Sequence, residues 1–365
     1  MAGGVSSVEG RRPGRTQARA GSHVSQIAKE SEHSRPPGMI DVARLAGVSS
    51  QTVSRVLRDH PHVSEETRSR VMDAVNALEY RRNNAARALS SGRSRLLGLI
   101  QLRVSSYSRA AFADGVEAEA LRAGYTVTTG TAESADPAAV ADAISRAIDQ
   151  GVEGVIIAVQ VSNAHDRLDR LTHTIPCVTV DGLLRAGPDI VTLDQVEVGR
   201  LATEHLLGLG HDTVWHVAGP GGWHDTSGRT QGWRDALVAA DREVPPVLHG
   251  DWSARSGYDS GQVLGRIPTA TAVFAASDDM AFGVLRALHE AGRRVPDDVS
   301  VVGVDDIPLA EYSVPPLTTV AQPFAHLGRR SVRSLLEALN EPDSGADMAP
   351  PALELIVRGS TAPRA

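Results

Sequence analysis

The stretch GVSSQTVSRV, residues 47–56, gathers four hydroxyls, an amide and a guanidinium within ten positions. A glutamine amide can hold an adenine edge through two hydrogen bonds, and a guanidinium can do the same with guanine O6 and N7. The same residues would also suit the turn and front of a small buried helix, so this pattern alone leaves both readings open. Other groups carry less. Cys177 follows Pro176 in TIPCVTV and reads as a small buried apolar residue rather than a nucleophile. His205, His211 and His216 stand at no usual zinc spacing, so no metal is expected. The pairs Asp278/Asp279 and Asp305/Asp306 could suggest two-carboxylate glycoside hydrolysis. Adjacent acids point apart, however, and the first pair opens a helix, where negative charge is favoured. AGPGGW, residues 218–223, is rich in glycine but lacks the Gly-Lys-Ser/Thr of a phosphate loop. No nucleophile stands paired with a base, and neither an enzyme nor a cofactor is expected.

The elements that would position these groups belong to a long chain. Its 365 residues exceed one compact core, which suggests two or three units. No apolar run approaches the roughly 18 residues of a membrane span. The N-terminal arginines have no apolar segment behind them, so no secretory signal is expected, and a single cysteine suits a reducing cytoplasm. The net charge of −7 would argue against nucleic acid, but the charges are segregated. The first 95 residues hold sixteen Lys or Arg against nine acids, and the other 270 hold 21 against 35. A basic end on an acidic body suggests a nucleic-acid module on a carrier that repels phosphate.

Residues 1–38 lack apolar periodicity and end in SRPPG, so they read as a disordered tail, either a basic arm or a segment upstream of a true start at Met39. Three short helical pieces follow: IDVARLAGV, SQTVSRVLR and SEETRSRVMDAVNALEY. Ser49 and Ser64 stand where N-cap oxygens would satisfy free amides, and Gly47 suits the turn between the first two helices. Val42, Leu45, Val48, Val53, Val56, Val71, Val75 and Leu78 recur at helical spacing and are expected to form one small core. After SGRSR, strand-like runs such as LLGLIQL, GVEGVIIAV, AVFAAS and SVVGVDD alternate with helical segments such as 137–150, 195–209 and 278–291. That alternation predicts an α/β body of two doubly wound lobes with parallel sheets, and a ligand cleft at the carboxyl ends of the strands.

DVARLAGVSSQTVSRVL resembles the DNA-binding signature of the LacI/GalR family of bacterial repressors. The likeness continues through HVSEETRSRVMDAVNALEYRRNNAARAL, VAGP, GDWSARSGY, ASDDMAFGVLRAL, VPDDVSVVGVDD and PPLTTVAQPF, from about residue 39 to 359. It implies an N-terminal helix-turn-helix domain joined to a two-lobed, periplasmic-binding-protein-like core. The helix starting at Ser50 would enter the major groove N-terminus first, with Ser50, Gln51 and Arg55 at base edges and Ser49, Thr52 and Ser54 on phosphates. Close members carry Tyr where this chain has Ser50, so the operator should differ in detail. RRNNAARALSSGR is a linker on composition alone, but it matches a hinge helix that folds when two copies meet on DNA. Asn83, Ala86 and Leu89 are the matching positions, with Leu89 wedged into the minor groove at the operator centre.

In the body, the resemblance implies a sugar pocket of Asp181, Arg229, Trp252, Ser277, Asp305 and Gln322, with Phe112, Leu193 and Phe324 as apolar wall. Carboxylates and a guanidinium pair with vicinal hydroxyls, and an indole covers the apolar face of a pyranose. Singly, Asp181 and Asp305 could cap turns after strands, and Trp252 could be core. A close member carries Asn at the positions of Ser277 and Ala158, which leaves the sugar's identity open. Met280, Phe282 and Leu285 are implied on a dimer face. No leucine heptad tail follows GSTAPRA, so a dimer is the expected assembly.

The expected organisation is a tail over 1–38, a helix-turn-helix domain over 39–82, a hinge helix and linker over 83–95, and a two-lobed ligand-binding and dimerisation domain over 96–365. Its first lobe would draw on about 96–192 and 324–350, its second on 193–320 and 351–365. The expected function is that of a cytoplasmic homodimeric repressor on a pseudo-palindromic DNA operator, released when a sugar or glycoside closes the cleft. Alternatives are a regulator whose ligand is a corepressor, a sugar-binding transport protein of the same two-lobed fold, or a glycoside-processing enzyme.

Overall fold

The computed structural model describes residues 37–57, 59–80, 92–103, 106–161, 166–180, 190–340 and 352–364. The chain divides into two compact units, residues 1–84 and 85–365.

In the first unit, α1 (Met39–Ala46) stops at Gly47, whose φ of 65° is open to glycine without a Cβ penalty. α2 (Ser50–Leu57) is capped by Ser49, whose Oγ accepts the Thr52 N–H at 3.1 Å, and α3 (Glu65–Ala77) by Ser64, which accepts from Thr67 at 3.3 Å. Val42, Ala43, Ala46, Val53, Val56, Val71 and Ala74 are buried together. Leu45, expected in this core, is instead 56% exposed. Positions 42, 43 and 46 share the inward face at three- and four-residue spacing, which turns position 45 outward.

The second unit holds two sheets. The first contains β1 (Leu96–Leu102), β2 (Thr126–Ala132), β3 (Gly154–Ala158), β4 (Cys177–Val180) and β5 (Ile190–Val191), in the order β2-β1-β3-β4-β5 and all parallel. Against it lie α4 (Tyr107–Arg122), α5 (Pro137–Asp149), α6 (Asp166–Thr174) and, returning from far along the chain, α11 (Phe324–Ala338). Side chains alternate along β1: Leu97 and Leu99 join the α4 and α11 side, Ile100 and Leu102 the α5 side. Burial on both faces explains the near-continuous apolar run.

The second sheet contains β6 (Trp215–Ala218), β7 (Leu248–His249), β8 (Ala272–Ala275), β9 (Ser300–Asp305), β10 (Thr318–Ala321) and β11 (Glu354–Ile356), ordered β11-β10-β9-β8-β6-β7. Around it pack α7 (Gln195–Gly208), α8 (His224–Ala239), α9 (Ala254–Leu264) and α10 (Asp278–Glu290). The sheet is parallel as expected except at its edge, where β11 runs antiparallel to β10. The chain reaches β11 from the other lobe rather than through a helix crossover on the same sheet, so nothing imposes a parallel entry. It passes between lobes after β5, after β10, and between α11 and β11. Leu193, Gln195 and Gln322 therefore stand at or beside the crossings.

Candidate functional site

On α2, Val53 and Val56 point into the small core while Gln51 and Arg55, one turn apart, are exposed on the same side. Ser50, Thr52 and Ser54 are half-buried beside them, and Ser49 is exposed at the cap. Among the described residues Arg55 makes no ion pair, whereas Arg44 pairs with Asp41 at 3.3 Å and Arg68 with Asp59 at 2.5 Å. Among the described residues, α2 thus presents the Gln51 amide and the Arg55 guanidinium together on its outward face. Asn83, Ala86 and Leu89 lie outside the described residues.

The second unit brings together residues far apart in sequence. Arg229, on α8, is 3% exposed. Its Nε donates to Gln195 Oε1 at 2.9 Å, and its Nη1 to the Ala276 carbonyl. Gln195 Nε2 donates to Gln322 Oε1 at 3.1 Å, and Gln322 Nε2 to Asp305 Oδ1 at 2.6 Å. A hydrogen-bonded row therefore runs from a guanidinium to a carboxylate through two amides that flank lobe crossings. Gln195, buried at the start of α7, is not among the expected site residues; its one signal in the sequence is a polar residue opening a helix just after a strand.

Trp252 completes one wall. The Arg229 guanidinium carbon lies 5.5 Å from its ring centroid, and its buried indole N–H has no hydrogen-bond partner among the described residues. A Cβ on Gly219 would sit 2.3 Å from this indole, so only glycine lets the ring pack there. Trp252, Asp305 and Asp306 have φ of 74°, 111° and 51°. Such left-handed backbone at non-glycine residues costs on the order of 1–3 kcal/mol each and gathers at functional sites. Asp306 is held by Arg358 at 2.7 Å. Asp305 is half-buried, and its carboxyl is pushed up to about 7 by burial, with Arg229 and the Gln322 amide pulling it down and Asp225 and Asp279 adding to the rise.

The remaining expected residues fall as follows. Ser277 caps α10, its Oγ accepting the Met280 N–H at 3.3 Å. Phe112 and Leu193 are buried in the cluster on the α4 side of the first sheet, with Phe324 packed against it. Asp181 lies outside the described residues. Met280, expected on a dimer face, has no exposed surface in the single chain and belongs to the interior cluster between α10 and the second sheet. That expectation is corrected: at position 280 the helix face turns inward. Leu285 is 8% exposed and Phe282 half-buried.

The histidines are built into the second lobe. His211 bonds Thr271 and Ser300, His205 bonds Thr361, and His216 stacks on Phe274 at 4.5 Å with its pKa lowered to about 3 by burial. Asp278 is fully buried, accepting from Thr319 Oγ1 at 2.6 Å and the Ile307 N–H at 2.9 Å. Burial, with Asp305 nearby, holds its carboxyl well above the usual range.

Residues 38–83 match the family described as bacterial regulatory proteins, lacI family, and residues 203–361 match a periplasmic binding protein-like domain. The HTH-type transcriptional repressor PurR of Haemophilus influenzae (strain ATCC 51907 / DSM 11121 / KW20 / Rd) is 32% identical over 333 residues, covering 88% of this chain and 97% of PurR. The lactose operon repressor of Escherichia coli (strain K12) is 34% identical over 311 residues, covering 83% of this chain and 85% of that repressor. The solved lac repressor dimer bound to operator and the anti-inducer ONPF is similar in structure, with a TM-score of 0.80 at 31% identity, covering 90% of this chain and 100% of that one.

Proposed function

Because the chain belongs to the bacterial lacI family of regulatory proteins, we propose that it is an operator-binding transcriptional repressor, released when a sugar or glycoside binds between its lobes. The observation that carries the effector reading is the row Arg229–Gln195–Gln322–Asp305, which runs from three buried side chains to a half-buried carboxyl where the chain crosses from lobe to lobe. A ligand shifts an equilibrium only through contacts that differ between two states, and a ligand bonded to this row and to the first lobe at once would make contacts that depend on how the lobes are set. Arg229 and Asp305 are assigned to vicinal hydroxyls and Trp252 to the sugar face, and Asp181, Ser277, Gln322, Phe112, Leu193 and Phe324 are assigned to the same ligand on the family resemblance.

On DNA, Gln51 and Arg55 are assigned to base edges beside Ser50, and Ser49, Thr52 and Ser54 to phosphates. Asn83, Ala86 and Leu89 are assigned to a hinge that forms at the operator centre. Twofold operator symmetry calls for a homodimer, with Phe282 and Leu285 near its face. The relatives are transcriptional repressors, and we assign this chain no catalytic step. No described helix is long and apolar enough to cross a membrane, and we place the protein in the cytoplasm with the DNA it reads.

The experiment is a thermal-shift screen against a sugar panel, then operator binding with and without each hit. A hundredfold change in operator affinity corresponds to about 2.7 kcal/mol of coupling, within reach of a few charge-assisted hydrogen bonds. Arg229→Ala should still bind operator but ignore the sugar. Release of this variant at the wild-type sugar concentration would mean that the pocket is elsewhere.

A further inference from the structure

The loop between β6 and α8 carries a second-lobe side chain onto the first lobe. Gly222, with a φ of 84°, turns the chain, and Trp223 then packs against the apolar cluster formed by β1, β3, α5 and α6. The next two residues are held by one side chain of the first lobe. Gln160, just after β3, accepts the His224 N–H on its Oε1 at 2.7 Å and donates its Nε2 to Asp225 Oδ1 at 3.0 Å. Arg109 of α4 adds an electrostatic attraction to Asp225. On its other side Trp223 meets Trp252 edge-on, with ring centroids 6.0 Å apart. One turn of chain thus joins the wall of the proposed effector site to the opposite lobe through an apolar contact and a two-point amide clamp.

We infer that Trp223 and Gln160 form an interlobe latch that holds the two lobes together before any effector is bound. The His224 N–H has no partner within its own helix, being at the α8 N-terminus, and its acceptor lies across the cleft rather than in a side-chain cap. Opening the lobes would expose the indole and leave this donor to water. A ligand entering the cleft would therefore meet lobes already in register, and its apparent affinity would scale with the latched fraction.

Hydrogen exchange and small-angle scattering of the full-length protein without ligand test this. In Trp223→Ala the amides of residues 223–226 should exchange at least about tenfold faster and the maximum dimension should increase, while amides of β6 and β8 keep wild-type protection. Gln160→Ala, which leaves the apolar contact in place, should give a smaller acceleration at His224 and decides the question if the tryptophan variant fails to fold. Wild-type exchange at His224 in Gln160→Ala would overturn the latch. Faster exchange in Trp223→Ala with unchanged scattering would also overturn it, since it would show fraying of the helix start alone. Because the test contains no sugar, its failure would leave the effector site untouched, and a misplaced effector site would leave the latch standing.

Discussion

Replacing Asp305 by Asn should make the protein more stable at alkaline pH and leave it unchanged in acid. The folded structure pushes the carboxyl from its ordinary 3.8 up to about 7, mainly by burial. Between those values the folded chain binds the proton and the unfolded chain does not, so this group's contribution is fully present below about pH 4 and is lost as pH rises through about 7. In a sealed site, at about 1.4 kcal/mol per pH unit, the gap would be worth on the order of 4 kcal/mol. Asp305 is only half-buried and solvent screens it, so we expect about 1–2 kcal/mol. Asn retains an oxygen for the Gln322 amide, which keeps the hydrogen bond while removing the titration. Urea unfolding of both proteins at pH 4 and pH 8 is the assay. Equal differences at the two values, or a variant that gains stability in acid instead, would refute the reasoning. Sugar binding should show the opposite trend, strengthening in the wild type above pH 7 as the carboxylate becomes a full acceptor for hydroxyls.

Arg55→Ala should cost roughly 1–3 kcal/mol at one position of each operator half-site if its guanidinium reads a base, as a mobility-shift titration against single-base operator variants would show. Equal loss on every sequence would make it a phosphate anchor. Operator affinity should fall steeply from low to moderate salt, because residues 39–95 concentrate ten basic residues against six acids. A salt-independent binding constant would contradict an electrostatic grip. Leu89→Ala should weaken binding to the intact operator more than to an isolated half-site, since a wedge acts only where two hinges meet. Equal effects would leave Leu89 a linker residue.

By itself the sequence determined what short-range chemistry and periodicity can carry. The serine caps, the Gly47 turn and the placing of Gln51 one turn before Arg55 follow from local backbone geometry, and the segregated charge is a property of composition. Long apolar runs such as LLGLIQL announced buried strands because both of their faces are covered. β7, β10 and β11 are short or polar, as in TTVA, and gave no such signal. Nor could helical spacing alone say which face Leu45 and Met280 occupy, because the phase of a helix is set by what it packs against. Only the tertiary structure decided that Gln195 and Gln322 join Arg229 to Asp305, and that Trp223 rests on the opposite lobe. These pairs are separated by tens of residues to more than a hundred, and they meet because the chain crosses between lobes after β5 and after β10. The distance between such residues depends on how whole sheets are brought together, a relation that no local pattern of side chains encodes.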